Sequence, residues 1–225
     1  MILFSARLAA IAACALALAS AVHARDRAGT VTILDGQASM VHGAARLVAV
    51  EGAVIEAEDI LETTAGTALL RLELDGGATL DLGPSTRVMV RPPLGGASGA
   101  PMAYLLEGWA KLTVAAANSA GKTVLASSLL DVTGLDRDLV LHVKGTEAEV
   151  FAESGRVQTL VASKAGAPVP TSVDKGAFLA RRADGAVNVT PRPAPAFIQA
   201  VPRAFMDTLP SRLALFKGKD IKLNP

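Results

Sequence analysis

The stretch from Glu58 to Arg91, EDILETTAGTALLRLELDGGATLDLGPSTRVMVR, constrains this chain more than any other. Leu70, Leu72 and Leu74 alternate with Arg71 and Glu73. After Asp75-Gly76-Gly77, Leu80 and Leu82 alternate with Thr79 and Asp81. Period-two alternation on both sides of a turn that accepts positive φ is the pattern of a half-buried antiparallel hairpin. The leucines are expected to face a core and the charged residues to face water. Burying each leucine contributes roughly 1.5–3 kcal/mol before chain entropy is charged.

The same style runs through most of the chain. Short strands are expected at 30–34, 37–41, 46–50 and 54–56, separated by Asp35-Gly36, His42-Gly43 and Glu51-Gly52. After a polar loop at 92–99, strands are expected at 102–106 and 109–114, broken by Glu107-Gly108. A second block follows at 139–143, 147–151, 157–161, 177–180 and 186–189. Four- to six-residue strands punctuated by glycine predict an all-β domain, an antiparallel sandwich or barrel. The two blocks share a grammar, but too little identity links them to name a repeat.

The first 24 residues read as a secretory signal peptide: Arg7, an apolar stretch from Leu8 to Val22, then Val22-His23-Ala24 as a small-x-small cleavage site. Ile11-Ala12-Ala13-Cys14 has the shape of a lipobox, but the apolar stretch before it is too short for one. No later segment reaches the roughly 18 apolar residues of a membrane span. The expectation is a periplasmic protein without a membrane span after cleavage. Cys14 is the single cysteine and leaves with the signal, which removes disulfides, thiolate metal sites and cysteine nucleophiles from consideration.

Lys and Arg number 22 against 21 Asp and Glu, and loss of Arg7 balances them. No basic run exceeds Arg181-Arg182. A neutral chain of this kind argues against nucleic acid or anionic lipid as the main partner, since both need clustered positive charge.

At Thr190 the composition changes. Pro191, Pro193 and Pro195 form a stiff linker, and residues 191–225 read as a linker followed by a tail of short helices broken by Pro202 and Pro210. Thr208 could cap a turn with Pro210 at an early helical position, and Leu209 and Leu213 have helix-compatible spacing. Phe197, Phe205 and Phe216 must be buried, either on the domain's own sheet or on another protein. If the tail docks on a partner, Phe205, Leu209, Leu213 and Phe216 are the contact residues, with the 92–99 loop as a secondary contact.

Asp59-Ile60-Leu61-Glu62-Thr63-Thr64-Ala65-Gly66-Thr67-Ala68, followed by Leu70-x-Leu72-x-Leu74-Asp75-Gly76, resembles the FecR-type periplasmic domain. Pro84-Ser85-Thr86-x-Val88 and Leu106-Glu107-Gly108-Trp109-Ala110-Lys111 are similar to the strands that follow in that family. The resemblance spans about 28–189, with domain limits of 25–190. It implies a non-enzymatic periplasmic domain that binds a protein or envelope component in sensing or assembly. Family members carry a cytoplasmic segment and a membrane helix before this domain, where this chain has a signal peptide. The resemblance therefore implies the periplasmic domain without the part that reaches a sigma factor.

Enzymatic chemistry finds little support in the residues. The mature chain holds His42 and His142 but no G-x-S-x-G elbow. Gly121-Lys122-Thr123 lacks the earlier glycine of a phosphate loop, because position 116 is alanine. Asp131, Asp136 and Asp138 around Gly134 do not match an EF-hand, and a solvated hairpin is expected there. Glu62 with Asp81, and Glu147 with Glu149, are expected on exposed strand faces rather than as a hydrolytic pair. No cofactor is expected. The alternative is a carbohydrate- or peptidoglycan-binding module, which would need Trp109 or Tyr104 exposed on a sheet face; Trp109 beside Gly108 reads as core.

Overall fold

The computed structural model describes residues 26–91, 101–114, 124–164, 166–219 and 221–224. The stretches read as a signal peptide (1–24) and as a polar loop (92–99), and Gly121-Lys122-Thr123, lie outside the described residues. In chain order the strands are β1 (Arg27–Asp35), β2 (Ala38–His42), β3 (Ala45–Val48), β4 (Val54–Glu56), β5 (Ile60–Thr63), β6 (Leu69–Leu74), β7 (Thr79–Leu82) and β8 (Arg87–Val90). They continue as β9 (Ala103–Thr113), β10 (Leu125–Ala126), β11 (Leu130–Leu135), β12 (Asp138–Lys144), β13 (Glu147–Ser154), β14 (Val157–Val161), β15 (Val169–Val173), β16 (Phe178–Arg181) and β17 (Val187–Thr190). One short helix, α1 (Pro195–Ala200), and two 3₁₀ turns at Arg203–Met206 and Leu213–Leu215 follow.

Pairing divides the strands into two ladders that share β9. The first runs β4-β1-β6-β7-β9-β12-β13-β16-β17. The second runs β3-β2-β5-β8-β9-β10-β11-β14-β15. Neighbours are antiparallel except β9 and β10. Among the described residues both ladders end in strands with a ladder partner on one side only, and their inner faces meet in one apolar core that includes Leu70, Leu72, Leu80 and Leu82 from one and Leu61, Val88, Leu105 and Val132 from the other. The result is an open sandwich rather than a closed barrel.

The β6–β7 hairpin has the register its alternation predicts: Leu70 opposes Leu82, Arg71 opposes Asp81 and Leu72 opposes Leu80. Gly77 in its turn has φ 80°. One expectation fails. All six residues of β6 are buried, Arg71 and Glu73 included, so the outer face of this hairpin is not solvated.

The two strands expected at 102–106 and 109–114 are one strand, β9 (Ala103–Thr113). Gly108, with φ 95°, is a corner inside β9 rather than a break. Before it β9 pairs with β8; from it onward β9 pairs with β7 and β12. A Cβ at Gly108 would lie 2.5 Å from Thr86 Cα, so the corner requires glycine on both conformational and steric grounds. Elsewhere the chain changes ladder through short links, at Gly83-Pro84 and Gly155-Arg156 among others.

The segment around Asp131 is not an isolated solvated hairpin. It contains β11, an interior strand between β10 and β14. β15 carries Pro170 and was not legible as a strand; it lies at a free edge, where a missing N–H is tolerated.

Candidate functional site

The outer face of the first ladder carries a row of residues in direct cross-strand register: Arg71, Asp81, Lys111, Val140, Phe151 and Phe178. Its charged end alternates in sign, and its other end is apolar. Across this row lies the C-terminal tail.

The tail's apolar anchors are Phe197 and Phe205, 3% and 1% exposed. They pack with Leu69, Trp109, Val140 and Phe178, with Ile33, Phe151 and Leu209 at the margin. Phe197 sits edge-on to Phe178 at 4.9 Å between ring centroids and tilted against Trp109 at 5.4 Å. Pro195 opens α1 at a position where its missing N–H costs nothing, and Pro202 follows the capping Val201. Gly83 leaves room for this packing: a Cβ there would meet the Pro202 ring at 2.6 Å.

Beyond Phe205 the tail is irregular, and an irregular segment can be buried only if its backbone polar groups find partners. The charged row supplies them. Lys111 Nζ donates to the Phe205 carbonyl at 2.5 Å while pairing with Glu153 at 2.7 Å. Arg71 Nη1 donates to the Leu209 carbonyl at 3.0 Å. Glu73 accepts the Arg212 N–H at 2.7 Å and the Ser211 hydroxyl. The expected helix over Leu209–Leu213 does not form, because the Arg212 N–H is committed to Glu73 rather than to a carbonyl one turn back. Thr208 and Pro210 cap no helix; the next turn is the 3₁₀ turn at Leu213–Leu215.

Arg71 is fixed by Asp81 through Nε–Oδ1 at 2.6 Å and Nη2–Oδ2 at 2.7 Å. This bond to Asp81 raises the guanidinium pKa above its ordinary value, against the opposing pull of burial. The pair is a two-pronged, desolvated ion pair whose remaining donor is aimed at the tail.

The end of the tail crosses to the other side of the sandwich. Phe216 and Ile221 press on Gly52, where a Cβ would come within 2.8 and 2.9 Å of them. The Asn224 carbonyl accepts the Val48 N–H at 2.9 Å, covering part of the free edge of β3. Of the four tail residues singled out from the sequence, Phe205 is buried in the chain's own sheet. Leu209, Leu213 and Phe216 are half-buried. Three neighbours in the tail face outward: Ile198, Met206 and Leu215, at 58%, 68% and 54% exposure.

The other candidates resolve into local partnerships. His142 stacks on Trp109 at 3.7 Å and meets Glu149 at 3.0 Å, whereas His42 meets the buried Asp59 at 2.7 Å. Glu62 pairs with Arg46 and Arg87 on the second ladder, apart from Asp81 on the first. Asp136 accepts the Arg156 N–H and Asp138 accepts the Ser154 hydroxyl, while Asp131 lies elsewhere on β11. Among the described residues no cluster of His, Cys, Asp and Glu is arranged to hold a metal ion. Trp109 is 8% exposed beneath Phe197, which leaves it no face for a sugar ring.

The alternation assigned Arg71, Glu73 and Asp81 to the outer face but did not itself say what lies over them. The one available hint was a phenylalanine-rich tail in need of a surface.

No family model and no curated relative matches the chain. Two crystal structures of a protein provisionally described as an anti-sigma factor from Parabacteroides distasonis are similar in fold, each with TM-score 0.51 and 15% identity. The match covers 63% of this chain, and it spans 64% and 65% of those chains, less than two thirds of their length. At this identity the likeness is one of fold.

Proposed function

We propose that this chain is a non-enzymatic periplasmic protein with a FecR-like domain that binds a protein of the cell envelope in sensing or assembly. The observation that carries the proposal is the two-sided tail. It buries Phe197 and Phe205 in the chain's own sheet, yet turns Ile198, Met206 and Leu215 outward. A tail needed only as a cover would gain nothing from three large apolar side chains in water, and such groups favour a protein contact. Leu213 and Phe216, half-buried at its end, add apolar area there. Phe205 and Leu209 hold the tail in place. The reading of residues 1–24 as a signal peptide and the fold likeness to a provisional anti-sigma factor support a periplasmic, regulatory setting. The burial of Trp109 counts against the glycan-binding alternative.

The test is a crosslinking pull-down from the native envelope with the mature chain and a variant carrying Ile198→Ser, Met206→Ser and Leu215→Ser. These changes leave the buried anchors intact. Loss of a specific captured protein supports a tail-borne contact. Equal capture by both forms moves the contact to the β domain. Retention of muropeptides without captured protein would favour the glycan-binding reading.

A further inference from the structure

The outer face of the second ladder carries a register row of its own, half-buried except at Ala126, which is 3% exposed. Across six adjacent strands, Ile60, Met89, Tyr104, Ala126, Asp131 and Leu160 stand in direct register. At about 4.8 Å between strands, this row is roughly 24 Å long. Five of its members are apolar or aromatic, and one is a carboxylate.

That carboxylate is unusual in its surroundings. Asp131 lines a shallow cleft of about 410 Å³ with Met89, Pro101, Tyr104 and Leu106. Among the described residues, no base pairs with it and nothing donates a hydrogen bond to it. The other charge in the cleft, Arg91, faces Glu58 at 3.3 Å. The three groups together leave one uncompensated negative charge. Partial desolvation raises the Asp131 pKa above its ordinary value, which marks the ionised form as lacking a counter-charge.

We propose that this row is a second binding face, for an extended segment of a protein partner that presents one lysine or arginine, flanked by apolar residues, to Asp131. The aliphatic stem of such a side chain would lie along Met89, Pro101 and Leu106, and its charged head would meet Asp131 beside the Tyr104 ring. Charge complementarity sets the sign of the central residue, and the length of the apolar row sets the class of partner. A small amine would fill the cleft but leave most of the row exposed. This face is separate from the outward side of the tail and does not depend on it.

The experiment uses the full mature chain labelled with ¹⁵N. The probes are acetylated, amidated pentapeptides Leu-Ala-X-Ala-Leu, with X lysine, arginine, glutamate or norleucine, and n-butylamine. The expected result is that the lysine and arginine peptides shift the amides of Met89, Tyr104, Ala126 and Asp131, and bind about three- to fivefold more tightly than the others. Asp131→Asn should abolish the preference for lysine over norleucine while the spectrum stays dispersed. Equal binding of lysine and glutamate peptides, or no shift at millimolar peptide, would overturn the proposal. So would butylamine binding as tightly as the lysine peptide, which would make this a small-amine site. Self-association in the ultracentrifuge that disappears in Asp131→Asn, without peptide binding, would assign the face to a second copy and overturn it as well.

Discussion

Arg71 and Asp81 face each other across the β6–β7 hairpin in a two-pronged pair at 2.6 and 2.7 Å, and the third nitrogen of Arg71 reaches the Leu209 carbonyl at 3.0 Å. The pair is thus both a cross-strand contact and a fastening for a segment 138 residues away. Ion pairs inside proteins often give little net stability, because desolvation offsets the attraction; removing one partner is a different matter.

Arg71→Met should destabilise the protein by about 3 kcal/mol, since it leaves Asp81 buried without its counter-charge and frees the Leu209 carbonyl. Asp81→Asn should cost a similar amount. The double variant Arg71→Met with Asp81→Leu should recover most of the loss. Urea midpoints of the four proteins check this, and a double variant no better than the singles would contradict it.

Phe205→Ala should cost about 3–5 kcal/mol, the range for emptying a fully buried aromatic site. Because Phe205 anchors the tail, the same variant should be cleaved faster by protease within residues 206–219 under native conditions. Unchanged cleavage at reduced stability would mean that the tail is held chiefly by its polar contacts.

A chain ending at Thr190 should uncover Trp109, Val140 and Phe178 and leave Glu73 and Lys111 without their tail partners. Trp109 is the single tryptophan, so its fluorescence reports this directly. Its emission should shift to the red and the urea midpoint should fall. A blue emission and an unchanged midpoint would show that the sheet does not need its cover.

Gly108→Ala should cost at least about 2 kcal/mol, because it places a side chain in left-handed backbone against Thr86. Denaturant melts measure it, and a neutral effect would mean that the β9 corner can relax.

Asp131 gives a pH dependence of opposite sign to that of a paired acid. Its folded pKa is raised by desolvation above the ordinary 3.8, so the folded state holds its proton more tightly than the unfolded chain. Ionisation therefore costs stability as pH rises from 3.8 through the raised value, and the cost is fully present above it. Asp131→Asn should be more stable than the parent at neutral pH, with the advantage fading as pH falls towards 3.8. Thermal melts at a series of pH values test this; an advantage that grows on acidification would reverse the assignment.

Much of this fold is local and was legible in the order of residues. Alternation in 69–82 sets which side chains share a face, and Asp75-Gly76-Gly77 sets the register, because both depend on neighbours two residues apart. The boundaries of β4 and β14 follow the same rule. Tertiary structure decided the rest. Glycine at 108 reads as a break along the chain, and only the packing of Thr86 against it makes it a corner within one strand. Pro170 hides β15, which exists because β14 offers it an edge. The helical spacing of Leu209 and Leu213 comes to nothing once Glu73 takes the Arg212 N–H. Above all, Arg71, Glu73 and Asp81 are outward in pattern and buried in fact. Periodicity tells which way a side chain points, but burial depends on what arrives above it, and here that is a tail from the far end of the chain.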